Sequence, residues 1–292
     1  MGLTHISLCT GYGGIDLGLK RALGRVSTIA YSEIEAFAIA NLVSKIESGW
    51  LDCAPIWTDL KTFPWQPFQG KVDILSGGFP CQPFSTAGRR EGDEDPRHLW
   101  PHIVKGVVGL DFPPIVFFEN VEGIISSKLA GDTWSDPQGT PVLLHILREL
   151  ERMGYEPTAG IFSASEVGAP HQRKRVFILG VHSKLNTEGR ALVSTKLNEV
   201  ESDPKSQQQT AWPAGRGQAQ FEWEPPRVTD KNPNENDYPQ GAKEGDSEDW
   251  IAYRRLCSSV DNRTDELRLL GNGVVPQVAE KAFKTLWREL NL

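Results

Sequence analysis

The sequence predicts an α/β protein with a doubly wound sheet. Three observations predict it. Strand and helix patterns alternate through residues 1–181, the arrangement that βαβ units impose. Val72–Leu75 and Ile115–Phe118 are apolar runs, as expected of parallel strands buried on both faces. A glycine-rich turn, Gly11-Tyr12-Gly13-Gly14, joins the first strand to the first helix, where such folds approach a ligand with their backbone.

The elements follow in order. Ile6–Cys9 is a short strand, and Ile15–Leu23 is a helix closed by Gly24, a residue suited to the left-handed C-terminal cap. Ser27–Tyr31 is the second strand. Ser32 and Glu35 have the spacing of a capping box, opening a helix that runs to about Ile46. After the strands at 72–75 and 115–118, Pro141–Met153 reads as a helix with Leu143, Leu144, Leu147 and Leu150 at helical spacing. Val176–Val181 is another strand. Between 182 and 250 the apolar runs vanish, and thirteen acidic residues face eight basic ones. This composition suits either a loop-rich insertion or a small recognition module. Regular structure returns at Leu267–Pro276. A final helix follows, with Val278, Ala279, Ala282, Phe283, Leu286 and Leu290 on one face.

Whole-chain properties narrow the function. The 292 residues suffice for one large domain, or a catalytic domain with a smaller appendage. No apolar run reaches the ~18 residues of a membrane span, and no basic-then-apolar leader opens the chain. Four scattered cysteines show no zinc spacing. A cytoplasmic protein without membrane partners is expected. The net charge of -7 argues against a general nucleic-acid coat protein but allows a local basic groove.

Chemistry concentrates at predicted strand ends. Glu33 stands about twenty residues after the glycine turn, where an acid can accept hydrogen bonds from ribose hydroxyls. The turn departs from GxGxxG, so a dinucleotide is not the first choice, and a tight turn alone would also explain its glycines. Asp59 closes a short segment; a solvated turn residue or a reader of an adenine edge would look alike there. Gly77-Gly78-Phe79-Pro80-Cys81-Gln82-Pro83-Phe84-Ser85 frames a cysteine with prolines that fix φ on either side. An inert core thiol needs no such frame, whereas a nucleophile held at one point does. Glu119 in Phe118-Glu119-Asn120-Val121 sits at a strand end, or starts the next helix. In Gln172-Arg173-Lys174-Arg175, an extended segment would point Arg173 and Arg175 the same way, towards a phosphate, a carboxylate or a base carbonyl.

In this order, the glycine turn, Glu33, Asp59, GGFPCQPFS, ENV, QRKR, a variable insert and LLGNGVVPQ resemble the DNA cytosine-C5 methyltransferases that use S-adenosyl-L-methionine. The short length and the LRLLGNGVVP ending are similar to those of compact phage or prophage members. The resemblance covers 1–181 and about 250–292. It implies a Rossmann-like methyltransferase fold. Residues 1–181 plus 266–292 would form the catalytic domain, and 182–265 a small, loop-rich target-recognition region.

The resemblance also supplies roles. Cys81 would attack C6 of a cytosine flipped out of duplex DNA. Glu119 would hold N3 and the exocyclic amine. Arg175 would contact O2, and Arg173 would orient the flipped nucleotide. Thr10, Gly11, Gly13, Gly14, Glu33, Asp59, Pro80 and Asn272 would bind the cofactor. Ser85–Asp93 would be the mobile catalytic loop, with Arg89, Arg90 and Arg97 near phosphates. Arg190, Arg216 and Arg227 in the insert could read guanines. Two departures stand out: His171 where relatives often have glutamine, and Ile34 where many carry an adenine-stacking aromatic. Double-stranded DNA is the implied partner of a monomer, alone or beside a separate restriction endonuclease. A tRNA cytosine-C5 methyltransferase and a decayed, non-catalytic DNA binder are the alternatives.

Overall fold

A computed structural model of the chain describes residues 2–80, 99–128, 139–202, 212 and 269–290. Seven strands form one sheet: β1 (Leu3–Leu8), β2 (Val26–Ser32), β3 (Ile56–Trp57), β4 (Ile74–Gly78), β5 (Ile115–Val121), β6 (Tyr155–Phe162) and β7 (Arg175–His182). Their order is β3-β2-β1-β4-β5-β7-β6. Strands β1 to β5 are mutually parallel. β7 runs antiparallel between β5 and β6. Residues 176–181, expected as one more strand of a doubly wound sheet, thus belong to an antiparallel hairpin at one edge. The strand before it, β6, carries Pro157 and Gly160 and lacks the unbroken apolar run that announces a buried strand.

The chain winds from β1 towards β3 and then restarts at β4 on the other side of β1. The crevice at the C-terminal ends of β1 and β4 is therefore the switch point at which α/β sheets bind ligands.

Alternate strand residues serve opposite faces of the sheet, as a period of two requires. Phe117, Phe177 and Leu179 pack with α1 (Gly14–Leu23) and the C-terminal helix, α6 (Pro276–Glu289). Phe118, Val176 and Ile178 pack on the other face with α3 (Trp100–Gly109) and α4 (Val142–Arg152). The predicted face of α6 is buried at Val278, Ala279, Ala282, Phe283 and Leu286. On α4 the buried stripe is Val142, Ile146 and Leu150, while Leu144 is 39% exposed.

The capping box expected at Ser32 and Glu35 does not form. The helix after β2, α2 (Ala36–Glu47), begins with Glu35 itself at the cap, with no side-chain cap bond. The amide N–H groups of Ile34 and Glu35 donate instead to Glu33 Oε1, at 2.9 Å each. The acid that takes backbone N–H groups here is thus Glu33, two residues before Glu35.

Helix α5 (Thr187–Ser202) lies in the stretch whose composition suits a loop-rich insertion. Only Val193 and Leu197 are buried from it, too few to stand out as an amphipathic pattern. Trp287 Nε1 donates to Ser194 Oγ at 3.0 Å and ties α5 to α6. Trp212 packs against the same core, and its indole N–H donates to the Val167 carbonyl at 3.0 Å. The chain divides into two compact units, Met1–Trp212 with Gly273–Leu292, and Pro213–Asn272. Within the second unit, 269–272 is helical. Among the described residues no helix is long and apolar enough to cross a membrane.

Candidate active site

The C-terminal ends of β1, β2, β4 and β5 and the start of β7 supply most of the candidate residues. After β1 the chain turns sharply: Cys9, Gly11 and Gly13 all have positive φ, at 47°, 58° and 81°. The Gly13 amide N–H donates to the Thr10 carbonyl at 2.9 Å. The Thr10 hydroxyl is directed inward, to the carbonyls of Ser7 and Ser32. The glycines have separate reasons. A side chain on Gly13 would strike Leu51 at 2.9 Å, and one on Gly14 would reach the Val274 carbonyl oxygen at 2.0 Å. A Cβ on Gly11 would meet nothing within 4 Å, so the turn faces open space there.

Glu33, at the end of β2, is only 7% exposed. Its Oε2 accepts the Gly11 amide N–H at 2.7 Å, while Oε1 accepts the two N–H groups that open α2. The acid expected to meet ribose thus also clamps the glycine turn, since a buried carboxylate is stable only with donors around it. Asp59 is half-buried and caps a short 3-10 turn, Leu60–Thr62, accepting the Lys61 N–H at 2.9 Å. Open space at Gly11 beside a buried acid suits a nucleoside with ribose hydroxyls and a flexible chain. The glycines and Glu33 of the expected cofactor set fit S-adenosyl-L-methionine on this ground.

After β4, a Cβ on Gly77 would lie 2.9 Å from the Leu8 carbonyl oxygen, and one on Gly78 would lie 3.1 Å from Glu119 Oε2. The glycine pair therefore clears β1 and the Glu119 carboxylate. Phe79 is buried against Trp100 and Phe118, and Pro80 is exposed at the rim. Cys81 lies outside the described residues, as do Arg89, Arg90, Arg97, Arg216 and Arg227.

Glu119 lies near the end of β5, one residue before the buried Asn120, and its side chain is 6% exposed. Arg175, at the start of β7, brings Nε to 2.9 Å from Glu119 Oε1. The contact is an ion pair without hydrogen-bond alignment, and Oε1 accepts no hydrogen bond among the described residues. Burial pushes the Glu119 carboxyl up to about 7, against the pull of the Arg175 and Arg173 guanidiniums. A carboxyl poised there can donate or accept a proton at neutral pH.

Arg173 does not lie on an extended segment. Its φ is 38°, and its Nη2 donates to the Gly273 carbonyl. The two arginines thus part: Arg175 meets Glu119, and Arg173 meets the chain returning from the second unit. His171 is exposed. Asn272 is exposed and belongs to the second unit.

Two residues of the site were not singled out by the sequence. Asn120 donates through Nδ2 to the Phe79 carbonyl at 2.9 Å and accepts the Val121 N–H through Oδ1 at 2.9 Å. Tyr12 donates its hydroxyl to the Val274 carbonyl. The signal for Asn120 was its place beside Glu119; Tyr12 carried none beyond lying among glycines.

Comparison with known proteins identifies the family of the chain. Residues 3–253 match the family model described as C-5 cytosine-specific DNA methylase. Type II methyltransferase M.NgoMIV of Neisseria gonorrhoeae is 30% identical over 184 residues, 63% of this chain and 53% of that protein. Type II methyltransferase M.HgiBI of Herpetosiphon aurantiacus is 32% identical over 185 residues, 63% of this chain and 38% of that protein. The chain thus spans about half or less of the length of these relatives. Among solved structures, a mutant of Spodoptera frugiperda DNMT2 superimposes with a TM-score of 0.51 at 19% identity, covering 63% of this chain and 51% of that one, a likeness of fold. With the family match extending over most of its length, the chain belongs to the C-5 cytosine-specific DNA methylases.

Proposed function

We propose that the protein transfers a methyl group from S-adenosyl-L-methionine to C5 of cytosine in double-stranded DNA. The observation that carries this reading is the buried Glu119–Arg175 pair on β5 and β7, next to the β1/β4 switch point, together with a glycine turn clamped by Glu33. A cytosine ring is a poor electrophile at C6 unless N3 is protonated. Glu119 with a raised pKa is suited to donate that proton and to accept from the exocyclic amine. Arg175 keeps this carboxyl oriented, and its guanidinium would contact O2. Cys81 then adds its sulfur to C6, which makes C5 nucleophilic. The cofactor supplies an electrophilic methyl carbon on its sulfonium. Loss of the C5 proton to solvent, cleavage of the C6–S bond and return of the N3 proton to Glu119 restore the ring, the thiolate and the carboxyl. The target atoms are inaccessible within a stacked duplex, so the base leaves the stack first.

The cofactor pocket would comprise Gly11, Glu33 and the rim of the turn, with Thr10, Gly13, Gly14, Asp59 and Pro80 as further members. Residues 182–265 would choose the DNA sequence, with 1–181 plus 266–292 as the catalytic part. The Type II methyltransferases among its relatives support a modification enzyme of a bacterial cytoplasm, alone or beside a separate restriction endonuclease. A monomer suffices, since one flipped base needs one active site.

The test is incubation with tritiated S-adenosyl-L-methionine and duplex DNA carrying 5-fluorocytosine, wild type beside Cys81→Ser. Fluorine at C5 does not leave as a proton does, so a denaturation-resistant labelled adduct is expected with the wild type alone. Methyl transfer to tRNA but not to DNA would move the substrate to RNA. Neither adduct nor transfer to any nucleic acid would leave the non-catalytic binder.

A further inference from the structure

The point at which the chain returns to the first unit, Gly273–Val274, is gripped by two donors from separate motifs. Arg173 Nη2 donates to the Gly273 carbonyl. The Tyr12 hydroxyl donates to the next carbonyl, that of Val274. Tyr12 lies between Gly11 and Gly13 in the glycine turn. Arg173 lies two residues before the partner of Glu119.

The fit leaves no slack. A Cβ on Gly273 would stand 1.6 Å from Tyr12 Cε1, so the tyrosine ring lies flush against that backbone. On the other side, the Val274 carbonyl occupies the space that a side chain at Gly14 would need. Tyr12 is held from behind as well. Lys45 Nζ donates to its carbonyl at 2.6 Å and sits 4.7 Å from the ring centroid. Burial keeps the phenol protonated, with its pKa pushed up to about 12, so the hydroxyl remains a donor at any physiological pH. A well-packed contact of this kind transmits displacement, because packed interiors are nearly incompressible.

We propose that Tyr12 is a positioning residue that acts through the Gly273–Val274 backbone to set Arg173, so that occupancy of the glycine turn and placement of the arginine segment are linked. The proposal rests on the reading that the turn binds S-adenosyl-L-methionine. It assigns a task to a side chain that contacts neither reacting atom.

Hydrogen exchange tests it without requiring methyl transfer. S-adenosyl-L-homocysteine added to the wild type should slow exchange both in peptides spanning the glycine turn and in peptides spanning 169–176. In Tyr12→Phe, which keeps the ring and loses the donor, protection should persist at the turn and vanish at 169–176. Turnover should then fall about 5-fold, the worth of one net hydrogen bond, with KM for the methyl donor changed less than twofold. Protection confined to the turn in the wild type, or reaching 169–176 in the variant, would overturn the linkage. No protection anywhere in the wild type would overturn it too, and would also remove the cofactor reading. Bound S-adenosyl-L-homocysteine with methyl transfer absent would challenge the reaction alone. The wild-type comparison stands even where the variant fails to fold.

Discussion

The Asn120 side chain reaches from the end of β5 to the Phe79 carbonyl at the end of β4, 2.9 Å away and buried. It thereby fixes the backbone two residues before Cys81. Asn120→Ala should leave that carbonyl without its donor, at a cost of about 1–3 kcal/mol in stability. Because the root of Cys81, the proposed nucleophile, is loosened while the glycine turn is untouched, kcat should fall with little change in KM for S-adenosyl-L-methionine. Steady-state kinetics beside urea denaturation check both. An equal loss in both constants would contradict the positional role.

The pKa of Glu119 sets a second expectation. If the protonated carboxyl donates to the base, kcat/KM should decline as pH rises through about 7, the value to which burial raises this group. Arg175→Met removes the guanidinium that favours the charged form, so the alkaline limb should move to higher pH. Glu119→Gln should abolish the limb and lower kcat by roughly 100-fold or more. The stability effect has a definite sign. The folded-state pKa lies above the usual 4.5, so the group's contribution is fully present below that value and is lost as pH rises through about 7. Glu119→Gln should therefore gain stability relative to the wild type at pH 8 and not at pH 4.

The glycines of the turn should not respond alike. Gly14→Ala places a methyl 2.0 Å from the Val274 carbonyl oxygen. Backbone must move there, and a loss of about 3 kcal/mol or more is expected. Gly11→Ala meets no atom within 4 Å and carries only the strain of a φ of 58°, about 1 kcal/mol. It should fold, yet intrude on the space in front of the turn and weaken S-adenosyl-L-homocysteine binding. Thermal melts with calorimetric titration separate the two cases. Equal destabilisation would refute the packing assignment.

A buried polar network beneath the site predicts a response to acid. His5 bonds Thr28 Oγ1 at 2.9 Å and Ser76 Oγ at 2.7 Å, and Asp16 Oδ1 lies 3.6 Å from its Nδ1. Lys20 and Asp52 also act on the ring, but burial dominates and lowers its pKa from 6.5 to about 3. The folded state thus refuses a proton that the unfolded chain accepts, and this group costs stability as pH falls from about 6.5 towards 3. Burial raises Asp16 to about 6, so its protonation below that value works in the opposite direction. Asp16→Asn should lose the offset and show a steeper fall in stability between pH 6.5 and 4 than the wild type. Denaturant midpoints at several pH values measure it.

Much of this protein was legible along the chain. Glycine, apolar runs and helical spacing are local signals. They placed β1, α1, β4, β5, α4 and α6, because backbone geometry and burial on one face leave a period in the residues. Glu33 and Glu119 were legible because α/β sheets put chemistry at strand ends. Contacts between distant segments were not. No local pattern says that β7 turns antiparallel, that Arg173 leaves the extended conformation for the Gly273 carbonyl, or that Gly14 is small for the sake of Val274. The raised pKa of Glu119 follows from its burial, which only the assembled sheet creates. The sequence by itself determined the family and the residue types proposed for the chemistry. The tertiary structure decided which of them touch, since hydrogen-bond partners and excluded volume are relations between segments far apart in the chain.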